Sequence, residues 1–414
     1  MIASIVTVGD ELLNGQTIDT NSAWLGEKLN EIGVTLTLKL SVGDTEEDII
    51  NGLTYASSHS DIILMTGGLG PTKDDITKVA IAKYLDDEMV FSEPTYERIK
   101  NIFKTRGRKV LEAHKQQCYM PGSAELVENP VGTAPGMWMR HDKKIILSMP
   151  GVPREMKQIM TQGGLDKIAA LVDDVIIKHY IIQTAGVGET TIADMIEDIV
   201  DDFPPELSIA YLPSTGSVKL RLTAKTQDER RAKQLTEATG QKIVNRLGNL
   251  VYGIGPDKLA HAIGRLCKEK GIKIATAESC TGGGIGNMIV SVPGSSAYYE
   301  GSLVTYSNEL KNSLLNVSAE TIKENGAVSE ETVKEMIAGL AARTNCDAGV
   351  AVSGIAGPGG GTADKPVGTI WIATGNQNKV VTRKLQLVRN RKMNIDYTIT
   401  LALNELRLFI EGNF

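Results

Sequence analysis

Two groups of residues in this chain have the types and spacing that hydrolytic chemistry needs. Toward the carboxyl end, the apolar run from Ile272 to Ala277 leads into Glu278-Ser279-Cys280-Thr281-Gly282-Gly283-Gly284. Backbone amides of a glycine turn that opens a helix collect negative charge. A second glycine loop, Gly354-Ile355-Ala356-Gly357-Pro358-Gly359-Gly360-Gly361, follows another apolar run, with Ser353 just before it. Between the two loops lie Gly294-Ser295-Ser296 and Tyr306-Ser307-Asn308-Glu309-Leu310-Lys311. A serine becomes a nucleophile only with a base beside it. The last of the five histidines is His261, so the base on offer in this segment is a desolvated lysine. A serine–lysine hydrolase is therefore chemically sensible, while each serine also suits a helix cap and Lys311 a solvated helix face.

The second group is near the amino end. Gly9-Asp10-Glu11 and Thr66-Gly67-Gly68-Leu69-Gly70-Pro71-Thr72-Lys73-Asp74-Asp75 both follow short apolar runs. Glycine amides together with the Thr66 and Thr72 hydroxyls suit phosphate. Asp74 and Asp75 open a helix, where a carboxylate caps the first turn or holds a divalent cation through hard oxygen ligands. Asp10 and Glu11 have the chemistry to join that site.

These loops need elements to hold them at strand ends. The first third alternates strand and helix signals: Ile5 to Val8, then Leu25, Leu29 and Ile32 at helical spacing, then strands at Thr35 to Val42, Asp61 to Met65 and Lys144 to Met149. Repeated βα units predict a parallel sheet covered on both faces, with ligands at the carboxyl ends of its strands. From Val175 the order becomes βαββα, a small α+β domain. There Val218, Leu220, Leu222 and Ala224 alternate with charged or hydroxyl side chains, as in a sheet with one wet face. Gly253-Ile254-Gly255-Pro256 marks a second boundary, and a further α/β unit follows. The expected domains are 1–170, 171–254 and 255–414.

Composition narrows the class. The 414 residues carry 44 Lys and Arg against 50 Asp and Glu, a net charge of −6, and 42% are hydrophobic. Such a chain is globular, with no bulk attraction for nucleic acid or an anionic membrane. No apolar run reaches the ~18 residues of a membrane span. Four cysteines without CxxC spacing read as reduced thiols of a cytoplasmic protein, and scattered histidines argue against a histidine-built zinc site. An RNA-binding KH domain would carry a GXXG loop, whereas the turn here reads Gly186-Val187-Gly188-Glu189, so no nucleic-acid partner is expected.

Taken together, the motifs resemble those of the CinA family, in order and across essentially the whole chain. They are Gly9-Asp10-Glu11-Leu12-Leu13-Asn14-Gly15 with Asp19-Thr20-Asn21, the Thr66–Asp75 loop and Met149-Pro150-Gly151-Val152-Pro153-Arg154-Glu155-Met156. In the last third they are Ala277-Glu278-Ser279-Cys280-Thr281-Gly282-Gly283, Gly294-Ser295-Ser296, Val304-Thr305-Tyr306-Ser307-Asn308 and Val352-Ser353-Gly354-Ile355-Ala356-Gly357-Pro358. The resemblance implies an α/β architecture: a molybdopterin-binding-like amino-terminal domain, a KH-like α+β middle domain and a nicotinamide-nucleotide amidase domain. It implies a homodimer that hydrolyses ADP-ribose with a divalent metal in the first domain. The last domain, without a cofactor, would deamidate nicotinamide mononucleotide. Ser296 is then expected as nucleophile, with Ser279 its rival, Lys311 as base and Tyr306 as a supporting hydroxyl. Thr281, Gly282, Gly283, Ser353, Gly354 and Arg391 would bind that substrate. Gly9, Asp10, Glu11, Thr66, Gly67, Gly68, Gly70, Thr72 and Lys73 would bind the diphosphate, with Asp74 and Asp75 on the metal. Where the family carries Gly-Asp-Arg, this chain has Arg389-Asn390-Arg391, which keeps only the cation. The alternative is a molybdopterin-binding or competence-related scaffold with one or both hydrolase sites inactive.

Overall fold

A computed structural model describes residues 1–70, 72, 75–105, 107, 109–172 and 175–414, and of Ala113 the backbone alone. It divides into two compact units, 1–177 with 225–229, and 178–224 with 230–414.

The first unit is built on a six-stranded sheet. Its strands run in the order Thr35–Val42, Ile2–Val8, Ile62–Thr66, Lys144–Met149, Gly136–His141 and Glu125–Val127. The first four are parallel, as the βα pattern predicts. The last two are antiparallel, a departure from the expected all-parallel sheet. Only Asp142 and Lys143 separate Gly136–His141 from its partner, and Asp142 takes a φ of 53°. Two residues make a hairpin but cannot make a crossover. Alternate residues of the central strands feed two cores, Ile5, Ile62 and Leu64 on one face and Val6, Ile63 and Met65 on the other. The carboxyl ends of Ile2–Val8 and Ile62–Thr66 thus release Gly9 and Gly67 side by side.

The α+β segment forms a four-stranded sheet in the order Leu207–Ser214, Ser217–Thr226, Ile176–Ala185 and Val251–Ile254. Val218, Leu220, Leu222 and Ala224 are buried as the alternation predicts. The segment expected only as a boundary supplies the fourth strand, pairing antiparallel with Ile176–Ala185.

The last sheet orders its strands Tyr299–Val304, Ile274–Glu278, Ala348–Gly354, Thr369–Gly375 and Val380–Gln386. Three are parallel, and the last two form an antiparallel hairpin. Large side chains (Ile274, Val350, Val352) bury one face under Leu259–Lys270 and Arg391–Glu411. The other face is lined by Ala275, Ala277, Ala351 and Ala373, which let Glu330–Thr344 lie close. That helix carries Gly339, where an added Cβ would sit 1.8 Å from the Leu315 carbonyl oxygen. The close approach fixes the position of the short helix Asn308–Leu315. Among the described residues, no helix is long and apolar enough to cross a membrane.

Candidate active site

Ser279 begins the turn that leaves the carboxyl end of Ile274–Glu278, tied to the sheet by its amide donating to the Val352 carbonyl at 3.0 Å. Lys311 reaches it from the first turn of Asn308–Leu315, a helix capped by the Ser307 hydroxyl. Its Nζ lies 3.1 Å from Ser279 Oγ, 2.9 Å from the Thr305 carbonyl oxygen and 3.2 Å from that of Tyr306. The lysine is only 1% exposed. Burial lowers its pKa below the ordinary lysine value. A neutral amine has two N–H donors and one lone pair. The two carbonyls can only accept, so they take the two N–H groups. As an ammonium the lysine donates to all three oxygens; once it gives up a proton, its lone pair is left for the Ser279 hydroxyl.

A cavity of about 240 Å³ opens over this pair, lined by Ser279, Cys280, Tyr306, Asn308, Lys311, Ala327, Val328, Ser353, Gly354, Ala356 and Arg391. Arg391 stands at its mouth, donating to the Gly357 carbonyl at 2.7 Å and to Tyr306 Oη at 3.4 Å. Ser353 lines the wall, but its hydroxyl is engaged by the Ala327 carbonyl at 2.6 Å. Gly354 keeps the wall thin, since a Cβ there would meet Ile370 and the Cys280 sulfur. Burial pushes the Cys280 thiol up to about 12, which removes it as a rival nucleophile near neutral pH.

Three expectations are corrected here. Ser296 lies in the one-turn segment Ser295–Ala297, ahead of Tyr299–Val304. That strand is parallel to Ile274–Glu278, with Tyr299 beside Ile274 and Val304 beside Glu278. Ser296 is therefore at the amino edge of the sheet, a strand length of roughly 20 Å from the Ser279 edge, and Lys311 does not reach it. Tyr306 offers Lys311 its backbone carbonyl, while its hydroxyl faces Arg391. The Thr281–Gly283 turn is also less open than expected. The Gly282 amide donates to the Ser279 carbonyl, and the Gly283 amide and Thr281 hydroxyl donate to the buried Glu278 carboxylate. Among the described residues, the Thr281 amide has no acceptor and the Cys280 amide faces only its own thiol sulfur. A signal for the Ser279 position existed in the sequence: it follows a strand, whereas Ser296 precedes one, and ligands sit at carboxyl ends.

A second cavity, about 480 Å³, lies in the first unit and is lined by Gly9, Glu11, Asp44, Gly67, Gly68, Gly70, Thr72, Asp75, Gln117, Gly151 and Glu155 among others. Gly67, at φ 120°, has no room for a side chain, because a Cβ would lie 2.2 Å from the Val8 carbonyl oxygen. Asp75 holds the loop by accepting from the Thr72 amide at 2.8 Å. Lys73 and Asp74 fall outside the described residues. Thr66 is a correction: its buried hydroxyl donates to the Pro150 carbonyl at 2.9 Å and is not on this cavity. Asp10 is another, since it exchanges hydrogen bonds with Asp44 and leaves Glu11 to line the cavity. Asp44, Gln117 and Glu155 were not expected. Glu155 arrives from the helix Pro153–Ile159 and accepts from buried Asn129 at 2.7 Å. Among the described residues, no three carboxylate, histidine or thiol groups gather as a closed metal cage. Yet Glu11, Asp44, Asp75 and Glu155 give the cavity hard oxygen donors, which suits a magnesium-like ion held by one or two carboxylates plus substrate phosphate and water.

Comparison with known proteins places three family models along the chain. A probable molybdopterin binding domain matches residues 4–170, the damage-inducible protein CinA KH domain 179–253, and the CinA C-terminal domain 256–410. A CinA-like protein of Cytophaga hutchinsonii is 44% identical over 98% of this chain and 97% of its own length. A putative competence-damage inducible protein of Halothermothrix orenii is 39% identical over the full length of both. Among solved structures, the competence/damage inducible protein CihA of Agrobacterium tumefaciens is 38% identical, covering 37% of this chain and 93% of that chain, with a TM-score of 0.36.

Proposed function

We propose, from the premise that this chain belongs to the CinA family, that its last domain is a serine–lysine amidase acting on nicotinamide mononucleotide. The observation that carries the reading is the 3.1 Å approach of buried Lys311 Nζ to Ser279 Oγ inside a cavity. Neutral Lys311 takes the hydroxyl proton as Ser279 Oγ attacks the carboxamide carbon. The oxyanion is received by the amides of Cys280 and Thr281. The C–N bond breaks, Lys311 hands its proton to the nitrogen, and ammonia leaves an ester on Ser279. Water, deprotonated by Lys311, then attacks the ester and releases nicotinate mononucleotide. Arg391 at the mouth supplies a cation for the substrate phosphate. The test is ammonia release from nicotinamide mononucleotide by the full chain: turnover that Ser279→Ala abolishes supports the reading, and a folded wild type that releases none rejects it.

The first domain fits a second hydrolysis, ADP-ribose to AMP and ribose 5-phosphate. Its glycine-lined cavity with Glu11, Asp44, Asp75 and Glu155 supports this. A bound divalent cation would neutralise and polarise the diphosphate. The chain's own part is to offer the amides of Gly68 and Gly70 to the phosphates and carboxylate oxygens to the cation, the Gly67 amide being held by the Met149 carbonyl at 3.0 Å. AMP release from ADP-ribose with added magnesium tests it; tight binding of a pterin without turnover would instead favour a molybdopterin-binding role.

A further inference from the structure

Glu278 has no exposed surface, and no cation pairs with it among the described residues. A buried carboxylate is costly unless donors surround it. Here they do. Oε2 accepts from Thr281 Oγ1 at 2.7 Å and from the amides of Gly283 and Ile285 at 3.0 Å each. Oε1 accepts from the Gly286 amide at 2.8 Å, with the Thr276 and Ser302 hydroxyls at 3.2 and 3.3 Å behind it. Every fixed partner is a donor, so the site is built for a carboxylate and would set the NH₂ of a glutamine against an N–H. The side chain sits at the end of its strand and folds forward over the turn that it precedes.

We infer that Glu278 is a positioning residue for the amidase: by gathering the Gly283, Ile285 and Gly286 amides and the Thr281 hydroxyl, it fixes the turn that aims Ser279 Oγ at Lys311 and leaves the Cys280 and Thr281 amides for the oxyanion. This rests on the serine–lysine reading above. The carboxylate touches neither substrate nor reacting atoms. Its effect belongs to the transition state, because a slack turn misplaces nucleophile and oxyanion donors while Arg391 still holds the nucleotide.

Two readouts on the full chain test it: kcat and KM for ammonia release, and the rate at which a fluorophosphonate labels Ser279, read by peptide mass spectrometry. Glu278→Gln is expected to lower both kcat and labelling by about a hundredfold with KM nearly unchanged. Wild-type kcat and labelling in that variant would overturn the inference, as would a loss carried by KM alone. Should Glu278→Gln not fold, Thr281→Val decides. It deletes the 2.7 Å contact at near-constant volume, and labelling should slow and recover in Thr281→Ser. Labelling that stays at the wild-type rate in Thr281→Val overturns the inference. A wild type that is labelled at Ser279 but releases no ammonia refutes the substrate and leaves Glu278 to be judged by labelling. A wild type with neither property overturns both.

Discussion

Lys311 Nζ lies 3.1 Å from Ser279 Oγ, although the two residues are 32 apart in sequence and stand on different elements. Ser279 follows a strand and Lys311 opens a helix, and both meet at the carboxyl edge of the same sheet. Ser279→Ala and Lys311→Ala are each expected to reduce ammonia release from nicotinamide mononucleotide by at least about a thousandfold, the scale of losing a nucleophile or its base. Ser296→Ala should leave it unchanged. Activity lost in Ser296→Ala and kept in Ser279→Ala would reverse the assignment.

The pH profile should carry the signature of the same lysine. Burial lowers the Lys311 pKa below 10.5. The base works as the neutral amine, so kcat/KM is expected to rise with pH and level off above a midpoint below that ordinary value. Stability follows the same sign. The unfolded chain binds more protons at this group than the folded one between the two pKa values, so folding gains stability as pH rises through that window. Both trends should vanish in Lys311→Met, measured as a pH–rate profile for residual turnover and as denaturant midpoints at several pH values.

Gly339 is where the scaffold bears on the site. A Cβ there would lie 1.8 Å from the Leu315 carbonyl oxygen, a backbone atom that cannot swing aside. Gly339→Ala must push Glu330–Thr344 away from the end of the helix that carries Lys311. The expected cost is about 2–3 kcal/mol of stability, read as a lower denaturant midpoint, with kcat falling too. An unshifted midpoint would mean that the helix pair is looser than this contact requires.

Much of this arrangement is legible in the sequence, for identifiable reasons. Parallel strands were readable from β-branched runs between helical periods, and glycine loops at their ends from composition. The one-sided burial of Val218, Leu220, Leu222 and Ala224 follows from simple alternation. What escaped needed strand direction or side-chain reach. Ser296 and Ser279 both stand in small-residue turns, and only the parallel register sends them to opposite edges. In the sequence Glu278 stands only as the residue before Ser279, and nothing local reveals that it turns back onto Gly283, Ile285 and Gly286. Glu155 reaches its cavity from a helix some 80 residues after the glycine loop, a distance that no local motif spans.

Arg391 retains the cation of a triplet whose other two members are replaced, and it stands exposed at the cavity mouth. An exposed cation binding phosphate contributes less than a buried one, on the order of 1–2 kcal/mol. Arg391→Ala is therefore expected to raise KM for nicotinamide mononucleotide by about tenfold with kcat little changed. Nicotinamide riboside, which lacks the phosphate, should be turned over equally by both proteins. An equal loss on the riboside would assign Arg391 to shaping the pocket through its bond to the Gly357 carbonyl rather than to binding phosphate.

Glu155 offers a test of the first domain that spares its fold. Its carboxylate accepts from Asn129 Nδ2, and a glutamine oxygen can accept the same hydrogen bond. Glu155→Gln therefore removes charge from the cavity while keeping the contact that holds the 129–134 loop. If the carboxylates there serve a cation on a diphosphate, AMP release from ADP-ribose should fall by at least about tenfold. Higher magnesium should restore part of it, and a chelator should stop the wild type. Ammonia release by the last domain should not change, because its site shares no residue with this cavity. AMP release that is insensitive to both Glu155→Gln and the chelator would move the diphosphate elsewhere.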